Sequence, residues 1–244
     1  MTRHSLHIGI DRYDDPRIRD LRYCTADAEL LASFFRDVAG YESVVRLDSP
    51  VRGAILDAVS AEASRLKPGD LLVMTYSGHG MRTKDEWVIM AKDSRHELAQ
   101  VGVDGFPLRL LQDRICNAGV NLALFLDSCP TEYAGTRGIS FARPTTERLQ
   151  RDLDLVIGDS CEGPAFFIMR PDATLEIESL GHGLFSAALD RALRELHAKG
   201  PFVISDEIRV RTAEHMKALC RENGNLSSPA VILTMTPGAN INLW

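Results

Sequence analysis

The chain has 244 residues, 45% of them hydrophobic and 25% charged, enough to bury one full core, and residues 1–244 are read as a single domain. A net charge of −6 with no basic run gives no electrostatic case for a nucleic-acid partner. No apolar stretch approaches the roughly 18 residues of a membrane span and the first residues carry no signal-like apolar core, so no membrane partner is expected and the expected compartment is the cytoplasm.

Ser5 to Ile10 is short and apolar and reads as a first strand. In Thr25 to Val38 the residues Ala28, Leu31, Ala32 and Phe35 recur at helical spacing, and Gly40 ends the helix. Ser43 to Leu47 is a second strand. In Val51 to Leu66 the residues Ile55, Val59, Ala63 and Leu66 share one helical face, and Lys67-Pro68-Gly69-Asp70 stops that helix. Leu71 to Thr75 and Val120 to Leu126 are continuous apolar runs of the kind buried on both faces of a parallel sheet. Glu86 to Ala91 reads as a short extension of the first run, and Leu108 to Asn117 as the helix before the second. Pro130 to Asp152 has turn and charge character without a period, and a loop of that length is usually functional. Leu153 to Asp159, Ala165 to Met169 and Ala230 to Met235 read as strands, Leu184 to His197 and Ile204 to Arg221 as helices. The repeated βαβ units point to a doubly wound α/β sheet with helices on both faces.

Two of the strands end on chemistry. Tyr76-Ser77-Gly78-His79-Gly80 closes one and Asp127-Ser128-Cys129 the other, with Cys129 fifty residues after His79. Parallel strands point their carboxyl ends the same way, so a His and a Cys at two such ends share a crevice. A thiol is nucleophilic once it loses its proton, and a neighbouring imidazole is the base that takes it. His79 and Cys129 are therefore the candidate base and nucleophile of amide hydrolysis through a thioester. Gly78 and Gly80 are expected to let the backbone turn sharply, and the N–H groups of Gly80 and Cys129 are the candidate oxyanion hole. The plain alternative makes Cys129 a small core residue and His79 the filling of a turn. His4, His7, His96, His197 and His215 lack comparable context, and His182, in Gly181-His182-Gly183, is read as the turn that opens a helix. Cys24, Cys116, Cys129, Cys161 and Cys220 are odd in number and scattered, which argues against a disulfide framework and against a zinc pair. No metal ligand set and no cofactor are expected.

Together these residues resemble the caspase-like cysteine peptidases, most closely the metacaspase and prokaryotic caspase-homologue branch. Ile8-Gly9-Ile10 with Tyr13 resembles the family's first strand, and Leu21-Arg22-Tyr23-Cys24-Thr25-Ala26-Asp27-Ala28 its Cys-x-x-Asp helix start. Lys67-Pro68-Gly69-Asp70 is similar to the approach to the His strand, and Gly181-His182-Gly183-Leu184-Phe185-Ser186 to the glycine-rich start of the late helix. The resemblance implies a three-layer α/β/α sandwich with a mostly parallel sheet, and a cysteine endopeptidase working through a Cys/His dyad. It also implies an acidic pocket for P1, the residue before the scissile bond, built from Cys24, Asp27, Ser77 and Asp127. Two carboxylates in a small cleft suit Arg or Lys and repel Asp, so the expected partners are proteins or peptides with Arg or Lys at P1. On the residues alone, Asp27 also reads as a first-turn acid favoured by the helix dipole and Asp127 as a hydrogen-bonded carboxylate at a strand end.

One departure stands out. After the nucleophile the family continues with His or Arg, a small residue and Gly, whereas this chain has Pro130-Thr131-Glu132. Proline removes its own N–H but leaves that of Cys129 in place, and the loop beyond is expected to take another path. Calcium activation, which the resemblance allows, is not legible, since no stretch has the acidic spacing of a loop site. The loop at 130–152 carries Arg137, Arg143, Arg148 and Arg151, so self-processing, cleavage by an activating protease or control by a regulatory protein is expected there; a solvated basic loop is the alternative. Two other function classes stand beside the peptidase: a catalytically weak caspase-like interaction module, motivated by Pro130, and a Cys/His amidase acting on a small substrate.

Overall fold

The structure is a computed structural model and describes residues 1–82, 87–96, 105–133, 141–142, 164–169, 175–224, 226–236 and 238–244. In chain order its elements are β1 (Arg3–Gly9), α1 (Cys24–Ser33) running into a π-turn (Phe34–Val38), β2 (Ser43–Asp48), α2 (Arg52–Arg65), β3 (Leu71–Arg82), β4 (Trp87–Ile89), β5 (Phe106–Pro107) and α3 (Leu108–Ile115). They continue with β6 (Asn121–Tyr133), β7 (Phe141–Ala142), β8 (Ala165–Met169), β9 (Glu176–Ile177), β10 (His182–Gly183), α4 (Leu184–His197), α5 (Asp206–Glu222) and β11 (Ile232–Met235).

The central sheet has the order β11-β8-β6-β3-β1-β2. Its β1–β2, β1–β3, β3–β6 and β6–β8 pairs are parallel, and β11 closes the edge antiparallel to β8. Parallel neighbours need crossovers, and α1, α2 and α3 lie in those that join β1 to β2, β2 to β3 and β3 to β6.

Successive side chains of a strand go to opposite faces, so an all-apolar strand builds two cores at once. Leu72, Met74 and Tyr76 of β3 and Leu122, Leu124 and Leu126 of β6 pack with Ile55 and Val59 of α2 and with Leu111 and Ile115 of α3. Leu71, Val73, Ala123 and Phe125 pack on the other face with Leu31 of α1, Leu189 of α4 and Met216 of α5. The result is the three-layer α/β/α sandwich with a mostly parallel sheet.

Several boundaries differ from the sequence reading, each for a local reason. The helix expected to reach Val38 keeps α-geometry only to Ser33; Ala39 N–H then reaches back five residues to the Phe34 carbonyl at 3.0 Å. That wider turn lets the consecutive Phe34 and Phe35 both be fully buried. The strands carrying His79 and Cys129 do not stop there: β3 runs on to Arg82 and β6 to Tyr133, in unbroken parallel register as far as the Arg82–Glu132 pair. Gly78 and Gly80 therefore make no sharp turn. They are small because buried side chains press on them: a Cβ at Gly78 would lie 2.5 Å from the Tyr76 hydroxyl, and one at Gly80 would collide with the Ser128 hydroxyl. Residues 130–133, read as the start of a loop, continue β6, and β7 pairs back on Glu132 and Tyr133. The rest of the 130–152 loop, with its arginines, and the strand expected over 153–159 lie outside the described residues. Among the described residues no helix is long and apolar enough to cross a membrane.

Candidate active site

His79 and Cys129 are Cα partners across β3 and β6, and Ser77 and Asp127 are partners two residues earlier. Neighbouring strands lie about 4.8 Å apart, so the ladder itself sets the Cα atoms of His79 and Cys129 side by side without help from a loop. Gly80, the expected oxyanion donor beside Cys129, is the partner of Pro130 on one side and of Ile89 on β4 on the other.

The His79 imidazole is fixed by a contact that no side-chain pattern signals. Its Nε2 lies 2.7 Å from the backbone carbonyl of Arg19. A carbonyl only accepts, so Nε2 carries the hydrogen and Nδ1 keeps the lone pair. Burial lowers the pKa of this imidazole below the usual histidine value, and the charge of Arg19 adds to that; the bond to the Arg19 carbonyl and the charges of Glu176 and Asp20 oppose it. The ring is therefore neutral at neutral pH, the form a general base needs.

The start of α1 has no cap of its own, since the Tyr23 side chain makes no capping bond. Two distant carboxylates supply what is missing. Glu176 Oε1 accepts from the N–H groups of Arg22 at 2.6 Å and Tyr23 at 2.9 Å. Asp11 Oδ1 accepts from those of Cys24 at 2.7 Å and Thr25 at 3.3 Å, and Asp11 Oδ2 accepts from the Thr25 hydroxyl. The unpaired donors of a helix start are thus satisfied by charge, and the turn bearing Cys24 and Asp27 is locked over the end of β1.

That turn brings the four expected pocket residues together. Asp27 Oδ2 accepts from the Ser77 hydroxyl at 2.9 Å, and Asp27 Oδ1 accepts from the Gly183 N–H at 2.9 Å and lies 3.2 Å from His182 Nδ1. Asp127 Oδ2 accepts from the Ser186 hydroxyl at 2.9 Å and from its N–H at 3.3 Å. Gly183 sits between the two acids: a Cβ there would lie 2.7 Å from Asp127 Oδ2 and 2.8 Å from Asp27 Oδ2. Burial pushes the Asp27 carboxyl above its usual range and the charge of Asp127 adds to that, while His182, the Gly183 N–H and Ser77 pull it back. Burial likewise raises the Cys24 thiol, against a hydrogen bond with Ser77, so that sulfur stays protonated. Exposures of 1% for Cys24 and Asp27, 2% for Asp127 and 3% for Ser77 make this a covered acidic pair, not an open cleft.

Sequence reasoning placed Gly181-His182-Gly183 correctly before a helix but missed its contact with Asp27. The available signal was a second Gly-His-Gly triplet in a chain with two acids that need a counter-charge. It also missed Asp11, Glu176, Ser186 and the Arg19 carbonyl, each of which acts across a long stretch of chain.

The sequence model described as the caspase domain matches residues 2–215. Among solved structures, the crystal structure of a protein from Geobacter sulfurreducens superposes with a TM-score of 0.63 over 97% of this chain and 94% of that one, at 18% identity, which is a likeness of fold. No curated protein sequence matches.

Proposed function

Because the chain belongs to the caspase-domain family of cysteine peptidases, we propose that it is an endopeptidase cutting after Arg or Lys, with Cys129 as nucleophile and His79 as base. The observation that carries this reading is one juxtaposition: the His79–Cys129 register pair stands two residues beyond the Ser77–Asp127 pair, beside Asp27. The proposed catalytic pair and the covered acidic pair proposed for P1 thus lie two rungs apart on one ladder.

In the proposed reaction His79 Nδ1 takes the Cys129 thiol proton, and the thiolate attacks the scissile carbonyl carbon. The oxyanion so formed is assigned to the N–H groups of Gly80 and Cys129, which lie within the β3–β6 ladder and have to turn out of it to reach the substrate; such donors are worth roughly 2.7 to 4 kcal/mol each in other acyl-transfer enzymes. Collapse breaks the C–N bond, the imidazolium returns its proton to the leaving amine, and a thioester remains. Water, deprotonated by the same imidazole, then cleaves the thioester and restores the thiol. The Arg19 carbonyl supports both proton transfers, since its bond to Nε2–H strengthens when the ring is charged.

The P1 preference follows from charge. Asp27 and Asp127 are desolvated together, and among the described residues the basic side chain in contact with Asp27 is the imidazole of His182, at 3.2 Å. An Arg or Lys side chain supplies that charge, and an Asp side chain adds a third carboxylate. The test is hydrolysis of matched peptides with Arg, Lys or Asp at P1 by the wild-type chain and by Cys129→Ala. Arg or Lys cleavage lost in the variant is expected. Cleavage after Asp, or turnover that survives in Cys129→Ala, overturns the reading.

A further inference from the structure

We propose that Tyr13 and Tyr76 are positioning residues for His79, holding its main-chain N–H and C=O respectively so that the imidazole stays on the Arg19 carbonyl with Nδ1 as acceptor. The inference rests on the reading of His79 as base.

The need for a clamp arises from where β1 stops. Its last residue, Gly9, pairs with Ser77, so two residues further along β3 there is no β1 strand left to satisfy the backbone of His79. Tyr13, on the segment just past β1, takes the place of the missing strand: its hydroxyl oxygen accepts from the His79 N–H at 2.8 Å. On the carbonyl side, the Tyr76 hydroxyl donates to His79 O at 2.6 Å, is within 2.8 Å of Met90 O, and the Met90 N–H also reaches His79 O at 3.0 Å. Burial drives both phenol pKa values upward, so both hydroxyls stay protonated and keep a hydrogen to donate. Tyr76 is 1% exposed and Tyr13 8%.

Two further observations make this more than a fold contact. The Tyr13 ring lies beside the imidazole itself, with centroids 5.0 Å apart and planes at 42°, so Tyr13 holds both the main chain and the ring of the same residue. Gly78 is also cut to fit: its Cβ would lie 2.5 Å from the Tyr76 hydroxyl and 3.1 Å from that of Tyr13, so any side chain before His79 would push the clamp apart. A catalytic group held within a fraction of an ångström by hydrogen-bonded neighbours is what positioning requires.

The experiment uses the full chain carrying Tyr13→Phe, Tyr76→Phe or both, which keep the rings and remove only the hydroxyls. On an Arg-P1 peptide each variant is expected to lose at least about tenfold in kcat, part of the roughly 10²- to 10⁴-fold that a positioned base contributes, with KM within about twofold. The acid limb of kcat/KM should move up toward the ordinary histidine range as the loosened ring gains water, and the double variant should be no worse than the poorer single one. Nitrogen NMR of the His79 ring should show one Nε2–H tautomer in the wild type and a mixture in the variants. Variants with lowered melting temperature but unchanged kcat, acid limb and tautomer reduce the tyrosines to fold contacts and overturn the proposal. A mixed tautomer in the wild type overturns it without any variant having to fold. A wild type without peptidase activity refutes the peptidase reading alone, and the NMR comparison still decides the clamp.

Discussion

Gly183→Ala is the sharpest test of the acidic site. Its backbone, at φ −66° and ψ 142°, is open to any residue, so the methyl group introduces no dihedral strain. What it introduces is volume, 2.7 Å from Asp127 Oδ2 and 2.8 Å from Asp27 Oδ2. Neither carboxylate can retreat freely, since Asp27 is held by Ser77 and the Gly183 N–H, and Asp127 by Ser186. Overpacking of this kind costs about 1 to 3 kcal/mol, and stretching one charge-assisted bond adds about as much again; the stiffer unfolded chain returns only about 0.4 to 1 kcal/mol. The expected net loss is about 3 kcal/mol in chemical denaturation, together with a rise of roughly tenfold or more in KM for Arg-P1 peptides. Gly181→Ala is the control. It sits at φ +65° with open space around it, so it should lose about 1 kcal/mol to left-handed strain and leave KM alone. A Gly183→Ala chain as stable as the wild type, with its KM unchanged, would refute the placement of Gly183 between the acids.

Two further perturbations probe what supports that site. His7 is fully buried, bonded to Thr75 Oγ1 at 2.9 Å and stacked on Phe35, and burial, aided by the charge of Arg36, holds its pKa down to about 3. Its folded pKa lies below the unfolded value, so only the unfolded chain takes up this proton as pH falls between those two values, and stability drops by up to about 1.4 kcal/mol per pH unit there. Denaturant titrations at pH 6.5 and 5 should therefore show His7→Gln sparing about 2 kcal/mol of the acid loss seen in the wild type; identical pH slopes in the two chains would show that His7 is not held neutral. Asp11→Ala should cost about 1 to 2 kcal/mol by uncapping α1 and should raise KM through the Cys24–Asp27 turn, whereas Asp11→Asn, which keeps an acceptor, should restore most of both. Equal losses in the two Asp11 variants would point to charge, not capping.

What could be read from the sequence, and what could not, divides by the range of the interaction. Helix α4 was legible to the residue because Leu184, Ala188, Leu189, Ala192, Leu193 and Leu196 repeat on one face within a single element. Strand β8 was legible for the same reason, as a short apolar run buried on both sides. The convergence of Cys24, Asp27, Ser77 and Asp127 came from resemblance, and no local pattern would have supplied it. The caps of α1 were invisible because Glu176 lies 154 residues from Arg22, and a carboxylate that caps at that distance looks like any other surface acid. The contact between His79 and Arg19 was equally hidden, since its acceptor is a main-chain carbonyl that every residue has. The glycines of the His motif were recognised but given the wrong reason: they serve close packing inside a straight strand, and a strand assignment that ended at His79 could not show this.

The spacing of the two motifs now has a mechanical explanation. Ser77 and His79 on β3, and Asp127 and Cys129 on β6, occupy positions i and i+2 of strands paired without a bulge, so each motif places its proposed pocket residue and its proposed chemical residue at the same strand parity. Ser77 and Asp127 bond to α1 and α4 on that side of the sheet, while Tyr76 and Leu126, at the opposite parity, belong to the core beneath α2 and α3. Inserting or deleting one residue between Ser77 and His79, or between Asp127 and Cys129, would shift one member of the pair to the other parity and separate recognition from chemistry. A two-residue change preserves parity but moves the chemical residue about 7 Å along the strand, beyond the reach of Tyr13 and of the Arg19 carbonyl. The Ser-x-His and Asp-x-Cys patterns are thus one register condition written twice, and the proposed site requires β3 and β6 to stay in step.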